Sequence, residues 1–335
     1  MISCRDVLNI NVLFTCAIVN SYSHLSNKDE IKLPNFSHDS TEFLHWFSGF
    51  TDAEGNFLIS LDRYYVRFRF KILLHIDDVE VLNLIKSKLG VGIVTASEAH
   101  CSFVVQNFDD IKYVICPIFK SFPLHTNKKL DFDDFYKAVM IKGETGEDVT
   151  QVDKEKILSL KNNMNLKRDN SLSIGLESPE IFVVNPFWFI GFLEGEGTFG
   201  IKNASPYFQI AQKNTSQSAL NAIKVFISTL PNINLHNTNL SPPNVTSAIN
   251  KNTDVVSLVV NSIDSLYYYI LPFLDSSKMY TRKAIDFKIW RIALLLRFDE
   301  VVFVGLNLYN LINIDISKDN LIKWISILQA QESKL

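Results

Sequence analysis

FSGFTDAEG at residues 47–55 and FIGFLEGEG at residues 189–197 are the stretches whose reading decides this chain. Each is an apolar run with small residues at helical spacing, closed by an acid and a glycine. Ser48 and Asp52 stand at i and i+4, as do Gly191 and Gly195, and small residues at that interval let two helix backbones approach closely. Gly55 and Gly197 are expected to supply the left-handed turn that ends each helix and sends the chain into a strand. Glu54 and Glu196 then fall at helix C-termini, where the macrodipole disfavours a carboxylate by roughly 0.3–1 kcal/mol. Two such ends placed together also repel. Packing explains that arrangement poorly. A divalent cation relieves both costs, and oxygen ligands suit magnesium, which keeps several waters and bridges to phosphate.

The repeat extends beyond the two motifs. LNLIK at 82–86 matches LNAIK at 220–224, SFVVQNFDDIKYVICPIF at 102–119 matches SLVVNSIDSLYYYILPFL at 257–274, and HTNKKLDF at 125–132 matches YTRKAIDF at 280–287. The order is the same in both halves while the spacing drifts, so the loops differ in length. The segment 231–252, rich in Asn, Ser, Pro and Thr, reads as the largest inserted loop. A period this long indicates two duplicated domains and not a solenoid. The expected boundaries are a leader at 1–40, a first domain at 41–143, a linker at 144–182, a second domain at 183–300 and a helical tail at 301–335.

Each half reads as helix, two strands, helix, two strands and helix. The second motif helix has Asn185 as N-cap and Pro186 at its first position. The first is expected to start at Ser40 or Thr41, with Asp39 and Glu42 spaced as a capping box. After Gly55 the period changes to two. Val66, Phe68, Phe70 and Ile72 share one parity, and Arg63, Tyr65, Arg67, Arg69 and Lys71 share the other. In a strand these sets lie on opposite faces. Short helices are expected at 154–163, in the linker, and at 321–329, in the tail.

The 335 residues carry a net charge of −3. That argues against a uniformly basic nucleic-acid binder, although phosphate contacts depend on where cations lie and not on their sum. No apolar run reaches the roughly 18–20 residues of a membrane helix, so no membrane partner is expected. The longest run, residues 7–19, is interrupted by Asn9, Asn11 and Thr15. Cys4, Cys16, Cys101 and Cys116 form no CxxC pair, which speaks against a disulfide scaffold or a zinc site.

With both motifs, the basic strand, LNxIK and the K-x2-DF segments, the chain resembles the LAGLIDADG homing endonucleases and their group I intron maturase relatives, of the single-chain, two-motif type. The resemblance implies an α+β fold: duplicated αββαββα halves forming a pseudo-twofold saddle over the DNA major groove, with the two motif helices at the interface. It implies that Glu54 and Glu196 bind catalytic Mg2+ (or Mn2+), with Ca2+ binding but not supporting cleavage. Asp52 and Glu194, two residues earlier, face differently on the helix and are expected to be structural. The resemblance further places Lys128 and Lys283 beside the reaction centre. A lysine before a helix is by itself an exposed loop residue; its repetition singles it out. Gln212 resembles the family glutamine that holds solvent near the metals. Its counterpart is Leu74, and its parity puts it with Phe208 and Ile210, so a core role is the competing reading.

The basic strand face supplies the expected DNA contacts Arg63, Tyr65, Arg67, Arg69 and Lys71. Three arginines at alternate positions suit phosphate or guanine. The matching face of the second half, Lys202, Asn203, Tyr207, Gln209 and Lys213, is weaker, which predicts an asymmetric target. Two activities fit the resemblance: hydrolysis of a double-stranded DNA site of about 20 base pairs by a monomer, promoting intron mobility, and assistance to splicing of a host group I intron RNA. Intact acids speak against a catalytically dead regulator. A composition rich in Asn, Ile, Leu, Phe and Lys, together with the family, suggests an organelle-encoded protein, mitochondrial first and chloroplast second, whose leader derives from an upstream exon.

Overall fold

The computed structural model describes residues 38–62, 65–145, 149–165, 182–203, 205–232 and 240–303. The leader as far as residue 37, Arg63, linker residues 166–181 and the tail helix at 321–329 lie outside them.

The first half runs α1 (His38–Glu54), β1 (Gly55–Leu61), β2 (Val66–His75), α2 (Val79–Leu89), β3 (Ile93–Ala96), β4 (His100–Val105), α3 (Cys116–Ser121) and α4 (Lys128–Thr145). A linker helix, α5 (Gln151–Asn162), follows. The second half repeats the order with α6 (Pro186–Glu196), β5 (Gly197–Lys202), β6 (Ser205–Lys213), α7 (Gln217–Ser228), β7 (Thr246–Asn250), β8 (Val255–Val260), α8 (Leu271–Asp275) and α9 (Lys283–Phe303). Each half holds one antiparallel sheet, ordered β1-β2-β4-β3 and β5-β6-β8-β7. This is the α+β duplication that the repeat implies.

Local sequence accounts for most element ends. The Asn185 side chain accepts hydrogen bonds from the backbone N–H groups of Phe187 and Trp188, and Pro186 follows it. Gly90 closes α2 in the left-handed region, at φ 70°. A π-helical turn precedes α3 (Ile111–Ile115) and another precedes α8 (Leu266–Ile270). Each sits just before a proline at the start of the next helix. Proline lacks the N–H that a regular helix would use there, and the wider turn accommodates the missing bond.

Four expectations change. Helix α1 begins at His38, two residues ahead of Ser40, and the linker helix begins at Gln151. The segment read as the largest loop contains β7, whose five residues are all exposed; an edge strand with neither face buried has no period-two signal to read. The last helix runs to Phe303, past the expected domain end at 300.

The two apolar faces converge on α1 and α6. In the first half, Phe47, Phe57, Phe70, Phe119 and Phe132 form one ring cluster, with Phe57 5.3 Å from Phe70 and 5.6 Å from Phe119. Between the halves the helix backbones touch. A Cβ on Gly49 would lie 1.9 Å from the Trp188 carbonyl oxygen, and one on Gly191 would lie 2.0 Å from that of Trp46. The contact is thus reciprocal about a pseudo-twofold axis. One turn later Ala53 faces Gly195, where an added Cβ would lie 2.4 Å from the Ala53 methyl. The small pairs at the seam are therefore Gly49/Ala53 and Gly191/Gly195. Ser48 is buried away from it and donates to the Phe122 and Pro123 carbonyls.

Gly55 and Gly197 are not left-handed either. Gly197 is extended, at φ −80° and ψ 150°, and both open strands directly. Glycine is required for a different reason: a Cβ on Gly197 would lie 2.5 Å from the Leu193 carbonyl, and one on Gly55 would lie 2.8 Å from that of Thr51. Because the obstacle at Gly49 is backbone and cannot rotate aside, Gly49→Val is expected to destabilise the fold by about 3 kcal/mol or more. Urea denaturation of the variant beside wild type measures this; a loss below about 1 kcal/mol would show that the helices can part without cost.

Candidate active site

The seam ends in four acids with two different fates. Asp52 and Glu194 turn inward and are buried. Asp52 accepts from the backbone N–H groups of His125 (2.8 Å) and Thr126 (3.1 Å) and from the Thr126 hydroxyl (2.6 Å). Its last partner crosses the seam: Trp188 Nε1 donates to Asp52 Oδ2 at 2.9 Å. Glu194 repeats this with the N–H groups of Tyr280 and Thr281, and Trp46 Nε1 donates to it at 2.7 Å. Each inner acid thus ties a loop of its own half to an indole of the other. Burial raises the pKa of both, and the hydrogen bonds pull it back.

Those loops carry the two lysines. Thr126 and Thr281 accept the N–H of Lys128 and Lys283 through their hydroxyls, each at 3.2 Å. The loops also cross over. The N–H of Asn127 donates to Ser216 Oγ (3.2 Å), and that of Arg282 donates to Asp78 Oδ1 (2.8 Å). Lys128 places its amine on the Thr51 and Ala53 carbonyls at the end of α1 (3.0 and 3.2 Å). Burial lowers its pKa, against the pull of Asp52, Glu54, Glu196 and Asp131. Lys283 instead pairs with Asp286 at 3.4 Å.

Glu54 and Glu196 are half-buried at the same end of the seam. Burial raises both pKa values; Glu54 further raises that of Glu196, and Lys128 lowers both. Gln212 Nε2 donates to Glu196 Oε1 at 3.0 Å. The register explains how a residue of core parity arrives there. Gly55 pairs with Ile72 and Gly197 with Ile210, so Leu74 and Gln212 occupy equivalent positions one step past the core. A cavity of about 290 Å3 is lined by Glu54, Leu74, Asp78, Arg282, Lys283 and Asp286, among others. Lys283 of the second half therefore shares a cavity with Glu54 of the first.

This donor set fits a divalent cation. Burial raises the proton affinity of both carboxylates, Glu54 raises that of Glu196 further, and both offer hard oxygen atoms. Among the described residues no group of three or more His, Cys, Asp or Glu side chains could hold a metal. The protein would supply a carboxylate from each half.

The nucleic-acid surface expected from parity is the sheet face opposite α1. Phe68, Phe70 and Ile72 are buried, whereas Arg67 and Arg69 are exposed and Lys71 is half-buried. Tyr65 is exposed, with the Arg67 guanidinium 5.9 Å from its ring centroid. On the second sheet, Tyr207 and Gln209 are half-buried, and Lys202, Asn203 and Lys213 are exposed. The Tyr207 ring covers Gly200, where a Cβ would meet it at 2.1 Å.

Sequence reasoning missed Trp46, Trp188, Asp78 and Asn165. The tryptophans occupy matched positions just before Phe47 and Phe189, so the repeat contained their signal. Asp78 and Ser216 also match but differ in chemistry. Asn165 has φ 58°, and its N–H donates to Asp131 Oδ1 at 2.8 Å; it lies in the linker, where no repeat exists to mark it.

A duplicated α+β chain with an acid pair at its helix seam and a basic sheet face has the construction of a two-motif nuclease. The family model described as LAGLIDADG endonuclease matches residues 47–139 and 189–294, and the chain belongs to that family. It is 30% identical over 324 residues to the uncharacterized mitochondrial protein RF1 of Saccharomyces cerevisiae, covering 90% of this chain and 64% of the relative. It is 28% identical over 265 residues to the probable intron-encoded endonuclease Cox1-I1b of Schizosaccharomyces pombe, covering 74% and 63%. The chain thus spans less than two thirds of these relatives. Among solved structures, the LAGLIDADG homing endonuclease I-GzeII in complex with its DNA target matches with a TM-score of 0.64 and 26% identity, over 80% of this chain and 95% of that one. I-SmaMI, bound to uncleaved DNA target in the presence of calcium ions, shares the fold with a TM-score of 0.66 at 21% identity, over 86% and 97%.

Trp46→Phe is expected to cost about 1–3 kcal/mol, because Glu194 stays buried with one donor fewer. A double-mutant cycle with Glu194→Gln checks this by denaturation; zero coupling would mean that the indole contributes only packing. Acid titration offers a second test. Burial pushes the pKa of His45 and of His125 down to about 4, below the unfolded value of about 6.5. The folded state then binds fewer protons, so their contribution to stability is complete above pH 6.5 and falls as pH drops towards 4. A His45→Phe/His125→Phe variant should lose less stability than wild type between pH 6.5 and 4; parallel curves would contradict this.

Proposed function

We propose that the protein is a site-specific, divalent-metal-dependent endonuclease acting on double-stranded DNA, encoded in a mitochondrial intron. The observation that carries this reading is the paired, half-buried Glu54 and Glu196 at a glycine seam, one from each half. Each half could then serve one strand of a duplex. Relatives named as intron-encoded endonucleases and a neighbour solved with its DNA target support it, as does RF1 of S. cerevisiae for the compartment.

Magnesium, when bound, would supply Lewis acidity and an activated water. Glu54 and Glu196 would hold it with oxygen ligands, and manganese would substitute. Calcium is expected to bind without supporting turnover. Lys128 offers a desolvated amine beside both acids, suited to stabilising charge on the phosphate. Gln212 orients the Glu196 carboxylate and brings a neutral amide to the solvent near it. Arg67, Arg69 and Lys71 would bind backbone phosphates or base edges from β2. The second sheet presents Tyr207, Gln209, Lys202, Asn203 and Lys213, a less cationic set. The splicing reading, as a maturase for group I intron RNA, has no feature of its own among the described residues.

The test uses a supercoiled plasmid carrying the intronless junction of the host gene. Wild type with magnesium should linearise it, and Glu54→Gln and Glu196→Gln should each be slower by about a hundredfold or more. Equal rates for wild type and Glu54→Gln would remove the nuclease reading.

A further inference from the structure

The segment that carries Lys128 is held by the linker at two points, three residues before the lysine and three after it. Before it, the His125 ring lies flat on the Phe182 ring, with centroids 3.8 Å apart and planes 1° from parallel. After it, Asp131 Oδ1 accepts the Asn165 N–H at 2.8 Å. Asn165 and Phe182 flank residues 166–181, one on each side. We propose that the linker is a working part of the reaction centre, in which Asn165 and Phe182 are positioning residues that hold the Lys128 amine in place. This rests on the endonuclease reading above.

The Phe182 contact acts through His125. Trp188 meets the His125 ring edge-on, at 5.2 Å, and its own ring stands 5.7 Å from that of Phe182. The histidine side chain is thus enclosed between the end of the linker and α6. Its backbone N–H is meanwhile fixed by Asp52 at 2.8 Å. Burial keeps the ring neutral at pH 7, so it stacks without adding a charge beside Lys128. The next residue, Thr126, accepts the Lys128 N–H at 3.2 Å. What holds His125 therefore also holds the first turn of α4.

The Asn165 contact acts through Asp131. At φ 58° Asn165 occupies the left-handed region, which Asn enters more readily than most side chains. There its N–H meets Asp131 and its side-chain amide meets the Phe57 carbonyl at 3.4 Å. Asp131 is buried one turn beyond Lys128, and its charge favours the ammonium. At the same spacing in the second half, Lys283 pairs with Asp286 at 3.4 Å. The Lys128 amine lies instead on the Thr51 and Ala53 carbonyls, one residue short of Glu54.

Neither linker residue hydrogen-bonds the amine itself; both set the backbone from which it extends. A lysine side chain is long and flexible, so an amine that must meet charge on a phosphate needs its stem fixed. A misplacement of about 1 Å at a reacting group can cost about a hundredfold in rate. Contacts at His125 and Asp131 fix the stem on both sides of Lys128.

Two measurements test this, and one of them needs no DNA. Asn165→Val cannot hold the left-handed turn, whereas Asn165→Gly keeps both the turn and the N–H. Phe182→Leu keeps apolar bulk without the flat ring, whereas Phe182→Tyr keeps the ring. An amine-reactive reagent, followed peptide by peptide by mass spectrometry, should modify Lys128 about tenfold faster in Asn165→Val and Phe182→Leu than in wild type, with Lys283 unchanged. In single-turnover cleavage of the plasmid described above, the same two variants should be slower by about tenfold, with DNA affinity unchanged in gel shifts with calcium. Asn165→Gly and Phe182→Tyr should match wild type in both measurements. Urea denaturation checks folding, and if one disruptive variant does not fold the other decides. Unchanged labelling and rates in the folded disruptive variants, or a loss of rate matched by an equal loss of affinity, would overturn the inference and leave the nuclease reading intact. Absence of any cutting by wild type would remove that reading, while the labelling still decides whether the linker holds Lys128.

Discussion

Two indole N–H groups, each donated to a buried carboxylate on the opposite helix, set the geometry on which the rest depends. Trp46 reaches Glu194, and Trp188 reaches Asp52. A charged or polar group is tolerated in the interior only when its hydrogen bonds are met, and each inner acid takes one of its donors from the other half. The indoles reach across because Gly49 and Gly191 bring the helix backbones into contact. The same two acids hold the His125–Thr126 and Tyr280–Thr281 turns, and with them the lysine loops. Seam, loops and outer acids are therefore one mechanical unit.

That unit also separates the acids by role. Asp52 and Glu194 are spent on structure. Glu54 and Glu196, two residues on, lie where each helix gives way to a strand and their carboxylates are half-buried. Burial raises their pKa values, and the charge of Glu54 adds to that of Glu196. A pair of this kind is costly without a cation, and the Lys128 amine offsets only part of the cost.

Departure from symmetry is concentrated around the site. The seam, the π-helical turns and the loop hydrogen bonds repeat almost atom for atom. Leu74 against Gln212 and Asp78 against Ser216 do not, and Asn165 acts on one half alone. Duplication fixed the frame because its contacts are reciprocal, so a change in one copy disrupts both. Leu74 makes no such reciprocal contact and was free to diverge from Gln212, whereas Asp78 and Ser216 keep the reciprocal loop contact with different side chains.

The repeat made the duplication, the strand faces and the acid pair legible, because periodicity and helix-end electrostatics are local properties of the chain. It also singled out Lys128 and Lys283 by position. The role of the tryptophans was not legible although they repeat, since an indole beside a motif reads as core until its partner across the seam is known. Gln212 shares its parity with core residues, and only the strand register shows that the apolar face ends at Ile210 and the site begins one step later. The glycines illustrate the same division. The sequence alone marked Gly55 and Gly197 as ending the motif helices; the tertiary structure decided why, since a Cβ there would meet the Thr51 or Leu193 carbonyl, and it alone showed that Gly49, and not Ser48, meets the backbone of the other half. The asymmetry of the lysines was likewise decided by tertiary structure, because Lys128 meets the Thr51 and Ala53 carbonyls, distant in sequence, whereas Lys283 pairs with Asp286 on its own helix.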